Sequence, residues 1–198
     1  MRQKVIAITG PSGVGKTTLG DLLIERNQFV YPVHSTTRNP RPDDKIGFYN
    51  YLSHDVFKDY ALNNDFMFWS GDSDIISINN GNFYGILNKD FNYLSDYDKI
   101  LMFISYKDVL SVLKLKNNEF DVDIVNLIYD NLENAMIERL SDEKRGHSWT
   151  DIENRINCAK DYEKQFKQVM SLPNILKIPT DIYGVEETYN IVRKRLVR

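Results

Sequence analysis

Residues 10–17, Gly-Pro-Ser-Gly-Val-Gly-Lys-Thr, follow the apolar run Val5-Ile6-Ala7-Ile8 and precede Leu19, Leu22, Leu23 and Ile24. That order implies a buried strand, a glycine loop and the first turn of a helix. Loop amides and helix N-terminus then converge on one point and form a seat for a polyphosphate. Gly10, Gly13 and Gly15 let the backbone approach the phosphates closely. The remaining contacts expected of the loop are Pro11, Ser12, Val14, Lys16, Thr17 and Thr18. Lys16 can follow the charge of the terminal phosphates, and the Thr17 hydroxyl is placed to ligate Mg²⁺.

At 198 residues the chain suffices for one well-filled core with a smaller subdomain, so a single domain over 1–198 is expected. Hydrophobic residues at 42% and charged residues at 27% are the balance of a soluble globular protein. No run reaches the length of a membrane span and no signal-peptide pattern opens the chain, so a cytoplasmic protein without membrane association is expected. A net charge of -3 gives no general attraction to nucleic acid. The one cysteine, Cys158, cannot form an internal disulfide and reads as a half-buried small apolar residue.

Strand and helix signals alternate along the chain. The first helix should reach about Arg26, and Phe29-Val30-Tyr31-Pro32-Val33 reads as a short strand interrupted by proline. Strands are expected at 47–51, 66–69 and 83–85, with a helix capped by Ser53 between the first two and an excursion over 71–82. Residues 99–105 have the unbroken apolar character of a central parallel strand, and 124–129 are another. Asp130-Asn131 should cap a helix running to Leu140, and a long helix should run from Thr150 to Met170. A last strand over 174–178 and a closing helix over 185–196 complete an α/β chain with a parallel sheet.

His34-Ser35-Thr36-Thr37-Arg38-Asn39-Pro40-Arg41-Pro42 is the second informative stretch. Its two prolines stiffen the backbone and hold Arg38 and Arg41 apart. Two guanidinium groups so placed suit a dianionic phosphate monoester.

Together these motifs give the chain a resemblance to the guanylate kinase family. The residues that carry it are GPSGVGKTT at 10–18, TTRNPRP at 36–42, GFYNY at 47–51, FYG at 83–85, Arg139-Leu140, Arg145-Gly146 and Arg155. The resemblance implies a P-loop NTPase fold with a parallel-sheet core over 1–33, 86–138 and 172–198. It also implies an acceptor-binding insertion over about 34–85 and a small helical lid over about 139–171. ATP would be the phosphoryl donor with Mg²⁺, and the partners would be small-molecule nucleotides bound by a monomer or homodimer. Carried across, Arg38, Arg41, Tyr49 and Tyr84 surround the acceptor phosphate, while Lys16, Arg38, Arg139, Arg145 and Arg155 serve transfer.

The guanine readers of the family are replaced. A family serine is His34 here, the glutamate that accepts from guanine is Phe68, and an Asp-x-Asp pair becomes Met102-Phe103-Ile104. His34 and Phe68 are therefore the expected neighbours of an acceptor whose non-phosphate half differs, unless Asp72 or Asp74 folds back to supply a carboxylate. The acceptors weighed are GMP, another nucleoside monophosphate, and ribose 1,5-bisphosphate. A non-catalytic module binding phosphorylated ligands is the rival class, set against by the complete loop at 10–17.

Overall fold

The computed structural model describes residues 2–40, 44–70, 82–116, 120–141, 148–165, 167, 169–172 and 174–197. The expected excursion falls almost wholly outside them, with Asp72, Asp74, Arg41 and Arg145. Strand β1 (Gln3–Thr9) runs into the glycine loop and helix α1 (Lys16–Asn27). Strands β2 (His34–Thr36), β3 (Tyr49–Tyr51), β4 (Phe66–Ser70) and β5 (Tyr84–Leu87) follow, with α2 (His54–Leu62) ahead of β4. Then come α3 (Asn88–Asn92), β6 (Lys99–Phe103), α4 (Val109–Leu113), β7 (Phe120–Ile128) and α5 (Leu132–Leu140). Helix α6 (Trp149–Gln165), β8 (Ile175–Pro179) and α7 (Val185–Leu196) complete the described order.

These strands form two sheets. The first is parallel throughout, in the order β6-β1-β7-β8. Both its faces are covered, which explains the unbroken apolar runs. Ile6 and Ile8 of β1 join Leu19, Leu23, Met136, Ile156 and Val192 on the face under α1, α5, α6 and α7. Val5 and Ala7 turn to the other face, where Phe91, Val109 and Val112 meet Phe68 and Ile86 of the second sheet. That second sheet has the order β3-β2-β5-β4 and is mixed: β2 pairs parallel with β3 and antiparallel with β5. Helix α6 lays Ile152, Ile156 and Ala159 into the first cluster, one stripe at helical spacing.

Several local expectations are corrected. No strand forms over 29–33: only Val30 pairs, bridging to Ile100, because Pro32 has no N–H to extend the ladder. Strand β6 is consequently the border of its sheet rather than its centre, buried from the side by the second sheet and Val30. Asn131 does not cap α5 through its side chain. Instead Asp181, just past β8, accepts from the amides of Asp130 and Asn131, both at 2.8 Å. Helix α6 ends at Gln165, and a short 3₁₀ turn over Val169–Ser171 follows. Ser53 does cap α2, accepting from Val56 N–H at 3.3 Å. Helices α3 and α4 were not signalled, both being only five residues long.

Candidate active site

The glycine loop sits at the C-terminal end of β1, where its conformation depends on residues without a Cβ. A Cβ on Gly10 (φ 144°) would lie 2.2 Å from the carbonyl oxygen of Leu127, a backbone atom that cannot give way. Gly15 (φ 100°) is the left-handed N-cap of α1 and turns the last loop amides toward the helix axis. Lys16 Nζ donates to the carbonyl oxygens of Gly10 (2.8 Å) and Pro11 (2.7 Å), folding back across the loop. Burial pushes its ammonium down to about 8. Thr17 and Thr18 are exposed on the first turn.

Two arginines reach this loop from opposite sides. Arg139 of α5 donates to Gly13 O (3.4 Å) and to Thr180 O (2.7 Å), with its guanidinium 5.2 Å from the centre of the Tyr129 ring. Arg155 of α6 donates to Ser12 Oγ (2.7 Å) and is held by Asp151 one turn earlier (2.9 Å). The structure thus gathers Lys16, Arg139 and Arg155 around one loop.

On the Arg139 side a cavity of about 140 Å³ is lined by Val14, Gly15, Thr18, Thr180, Tyr183 and Thr188. Thr180 Oγ1 is spent on Val14 O at 3.0 Å. Thr188, buried, has a hydroxyl with no hydrogen-bond partner, so an uncommitted polar group faces a largely apolar slot. A second cavity of about 260 Å³ lies on the Arg155 side, between Pro11, Ser12, Tyr106, Asn154 and Cys158. Cys158 is exposed there, not half-buried, because its position on α6 faces away from the Ile152-Ile156-Ala159 stripe.

Arg38 lies beyond β2, with only 6% of its side-chain surface exposed. It forms a fork-to-fork pair with Asp44, Nη1 to Oδ2 at 2.7 Å and Nη2 to Oδ1 at 2.5 Å, and Nη1 also donates to Asn39 O. The guanidinium stacks 4.5 Å from the ring centre of Tyr49 and 5.7 Å from that of Tyr51. Thr36 pairs in register with both Tyr51 and Tyr84, so with Tyr49 two residues before Tyr51 the three tyrosines share one face of the sheet. The next residue, Lys45, pairs with Asp21 on α1, tying this cluster to the helix that follows the glycine loop.

A family model described as guanylate kinase matches residues 2–171. The chain belongs to the guanylate kinase family. Among relatives, the guanylate kinase of Campylobacter jejuni (strain RM1221) is 28% identical over 173 residues, which span 85% of this chain and 78% of that one. That of Prochlorococcus marinus subsp. pastoris is 38% identical over 85 residues, 42% of each chain. The crystal structure of guanylate kinase from Anaplasma phagocytophilum shares the fold at a TM-score of 0.62 and 17% identity, covering 100% of this chain and 88% of that one. The architecture is therefore the P-loop NTPase fold, and the chain is a guanylate-kinase-like nucleoside monophosphate kinase, a phosphotransferase.

Guanylate kinases use ATP as phosphoryl donor, generally with Mg²⁺. Among the described residues no three His, Cys, Asp or Glu side chains converge on a metal position. Mg²⁺ at a phosphate site needs only one or two protein oxygens beside phosphate and water, and the exposed Thr17 hydroxyl meets that need. No described helix is long and apolar enough to cross a membrane.

At the positions where guanylate kinases are expected to read the base, this chain offers few polar atoms. Phe68, Met102 and Ile104 are buried in the second cluster. His34 is buried with both ring nitrogens against backbone carbonyls, Nδ1 2.9 Å from Pro32 O and Nε2 3.1 Å from Phe103 O. Burial is the larger effect and pushes its imidazole down to about 4, although the two carbonyls favour the proton. An unfolded histidine titrates near 6.5, so between that pH and 4 the unfolded chain takes up a proton that the folded one refuses. Stability from this group is complete above about pH 6.5 and lost as pH falls toward 4, by up to about 3 kcal/mol. The drop in urea midpoint between pH 7 and pH 4.5 is expected to shrink in His34→Gln.

The sequence reading missed Asp44, Tyr51, Thr180, Tyr183 and Thr188. Only Tyr51 carried a local signal, its two-residue spacing from Tyr49.

Proposed function

We infer that the chain transfers the γ-phosphoryl group of ATP to a nucleoside monophosphate whose base is not stringently read as guanine. The observation that carries this reading is the contrast between two surfaces. Lys16, Arg139 and Arg155 gather at the glycine loop and Arg38 stands against the tyrosine face, whereas Phe68, Met102 and Ile104 are buried hydrophobes and His34 turns both ring nitrogens toward main-chain carbonyls.

In this reading the loop amides of residues 13–18 and Lys16 hold the β- and γ-phosphates, and Arg139 and Arg155 neutralise charge that develops on the transferred group. Thr17 would ligate Mg²⁺, which when bound offsets phosphate charge between donor and acceptor. Arg38, with Arg41 and the tyrosine face, aims an acceptor phosphate oxygen in line with the γ-phosphorus. That oxygen forms the new P–O bond as the β,γ-bridging bond breaks and ADP leaves. The acceptor oxygen is already ionised at neutral pH, so no general base is needed. The segment over 34–85 would then be the acceptor-binding insertion and that over 139–171 the lid. The donor base would enter the slot beside Tyr183, where Thr188 offers a hydroxyl able to donate or accept.

A coupled ADP-release assay over GMP, AMP, CMP, UMP, dTMP and ribose 1,5-bisphosphate tests the acceptor. Apolar contacts discriminate by roughly 10–200-fold, whereas paired polar edges reach about 10⁴. Turnover with more than one nucleoside monophosphate, and kcat/KM values within about 100-fold of each other, is the expected result. A 10⁴-fold preference for GMP, or turnover of the sugar phosphate alone, overturns it.

A further inference from the structure

We propose that Asp44 is a resident counter-ion in the acceptor site, one that an incoming phosphate must displace from Arg38 before it can bind. This rests on the reading of Arg38 as the acceptor-phosphate anchor. The carboxylate presents two oxygens to the two terminal nitrogens of Arg38 at 2.7 and 2.5 Å, the same planar fork that a phosphate monoester would use. The pair is not a rim contact: Arg38 is 6% and Asp44 14% exposed. Tyr51 adds a third donor to the same carboxylate, its hydroxyl 2.5 Å from Oδ2. With tyrosine rings stacked on the guanidinium, the site already holds an anion of its own.

The consequence is a threshold on ligand charge. Every ligand of Arg38 bears the same cost of evicting Asp44, so apparent affinity falls by the fraction of time the guanidinium is free. If that fraction is about one tenth, all anions bind about tenfold more weakly. Phosphate monoesters, dianionic near neutral pH, keep useful affinity, while carboxylates and phosphodiesters, with one charge, fall out of the working range. Asp44 touches neither transferred group nor donor and acts only through Arg38, so it is a positioning residue.

The test is calorimetric titration of the whole chain with inorganic phosphate, beside acceptor kinetics. Asp44→Asn, which keeps the shape and removes the charge, is expected to lower the phosphate Kd by about tenfold. It should lower acceptor KM by a similar factor with little change in kcat. Asp44→Glu, with the carboxylate restored, stays near wild type. Tyr51→Phe, at a 37% exposed side chain, loosens the carboxylate and tightens phosphate about two- to threefold, and it carries the test should Asp44→Asn fail to fold. An unchanged or higher phosphate Kd in the folded Asn variant, or in Tyr51→Phe when Asn does not fold, overturns the proposal: a carboxylate that merely braced Arg38 would give that result. Absence of acceptor-dependent ADP formation in the wild type, with the phosphate response intact, instead sinks the kinase reading and leaves the counter-ion standing.

Discussion

Replacing Lys16 with Ala is expected to lower acceptor-dependent ADP formation by about 10³-fold or more, with the fold retained. Lys16 is the one side chain of the glycine loop carrying a full charge, and it bends back over the loop to two carbonyls that a polyphosphate would outbid. Removing a preorganised donor aimed at developing charge costs about 10²–10³ in rate, and here weaker donor binding adds to it. Wild-type behaviour gives an independent check. Since burial holds the free ammonium at about 8, the charged form dominates below that pH and is lost above it. The kcat/KM for ATP should therefore be level near pH 7 and fall on the alkaline side with an apparent pKa of about 8. Nearly unchanged turnover in Lys16→Ala, or a level profile to pH 10, contradicts the role.

The second large effect belongs to Arg38→Met. Two charge-assisted hydrogen bonds to the acceptor, at about 1.5 kcal/mol each, are lost, which raises acceptor KM by roughly 10²-fold. The same change strands Asp44, 14% exposed, without its guanidinium, at a cost of about 3 kcal/mol in stability. The two effects separate in a double variant. Arg38→Met with Asp44→Asn should regain most of the lost urea midpoint, because no carboxylate is left without its guanidinium, yet keep the high KM. Recovery of both together would mean that Arg38 serves the fold and never touches an acceptor.

What could be read along the chain was what the backbone itself dictates. The loop at 10–17 is contiguous, and its chemistry depends on missing Cβ atoms and on the strand and helix either side. The sheet layers were legible from apolar runs such as Val5–Ile8. Less visible were groups whose meaning depends on distant neighbours. Asp44 reads as one more acid in a polar turn until the fold lays it against Arg38. Asp181 serves a helix 50 residues earlier, displacing the local cap expected from Asn131. The strand expected at 29–33 reduced to Val30 since a proline's effect on a ladder outweighs the propensity of its neighbours. His34 reads from the sequence either as a hydrogen-bonded loop residue or as an acceptor contact, and nothing local says which carbonyls it would meet. The close approach of Phe103 O, 69 residues away, turned it inward.

The slot beside Tyr183 has a consequence for the newborn chain. Its walls come from segments far apart in sequence: Val14 and Gly15 on one side, Thr180 and Thr188 on the other, with Thr180 bonded to Val14 across 166 residues. The glycine loop is made early, and Arg139 and Arg155 can reach it before β8, but the Tyr183 side of the slot is missing until β8 and the first turn of α7 have been translated. A nascent chain halted before that point lacks one wall of this slot, which takes shape only after residues 166 positions beyond Val14 have been made.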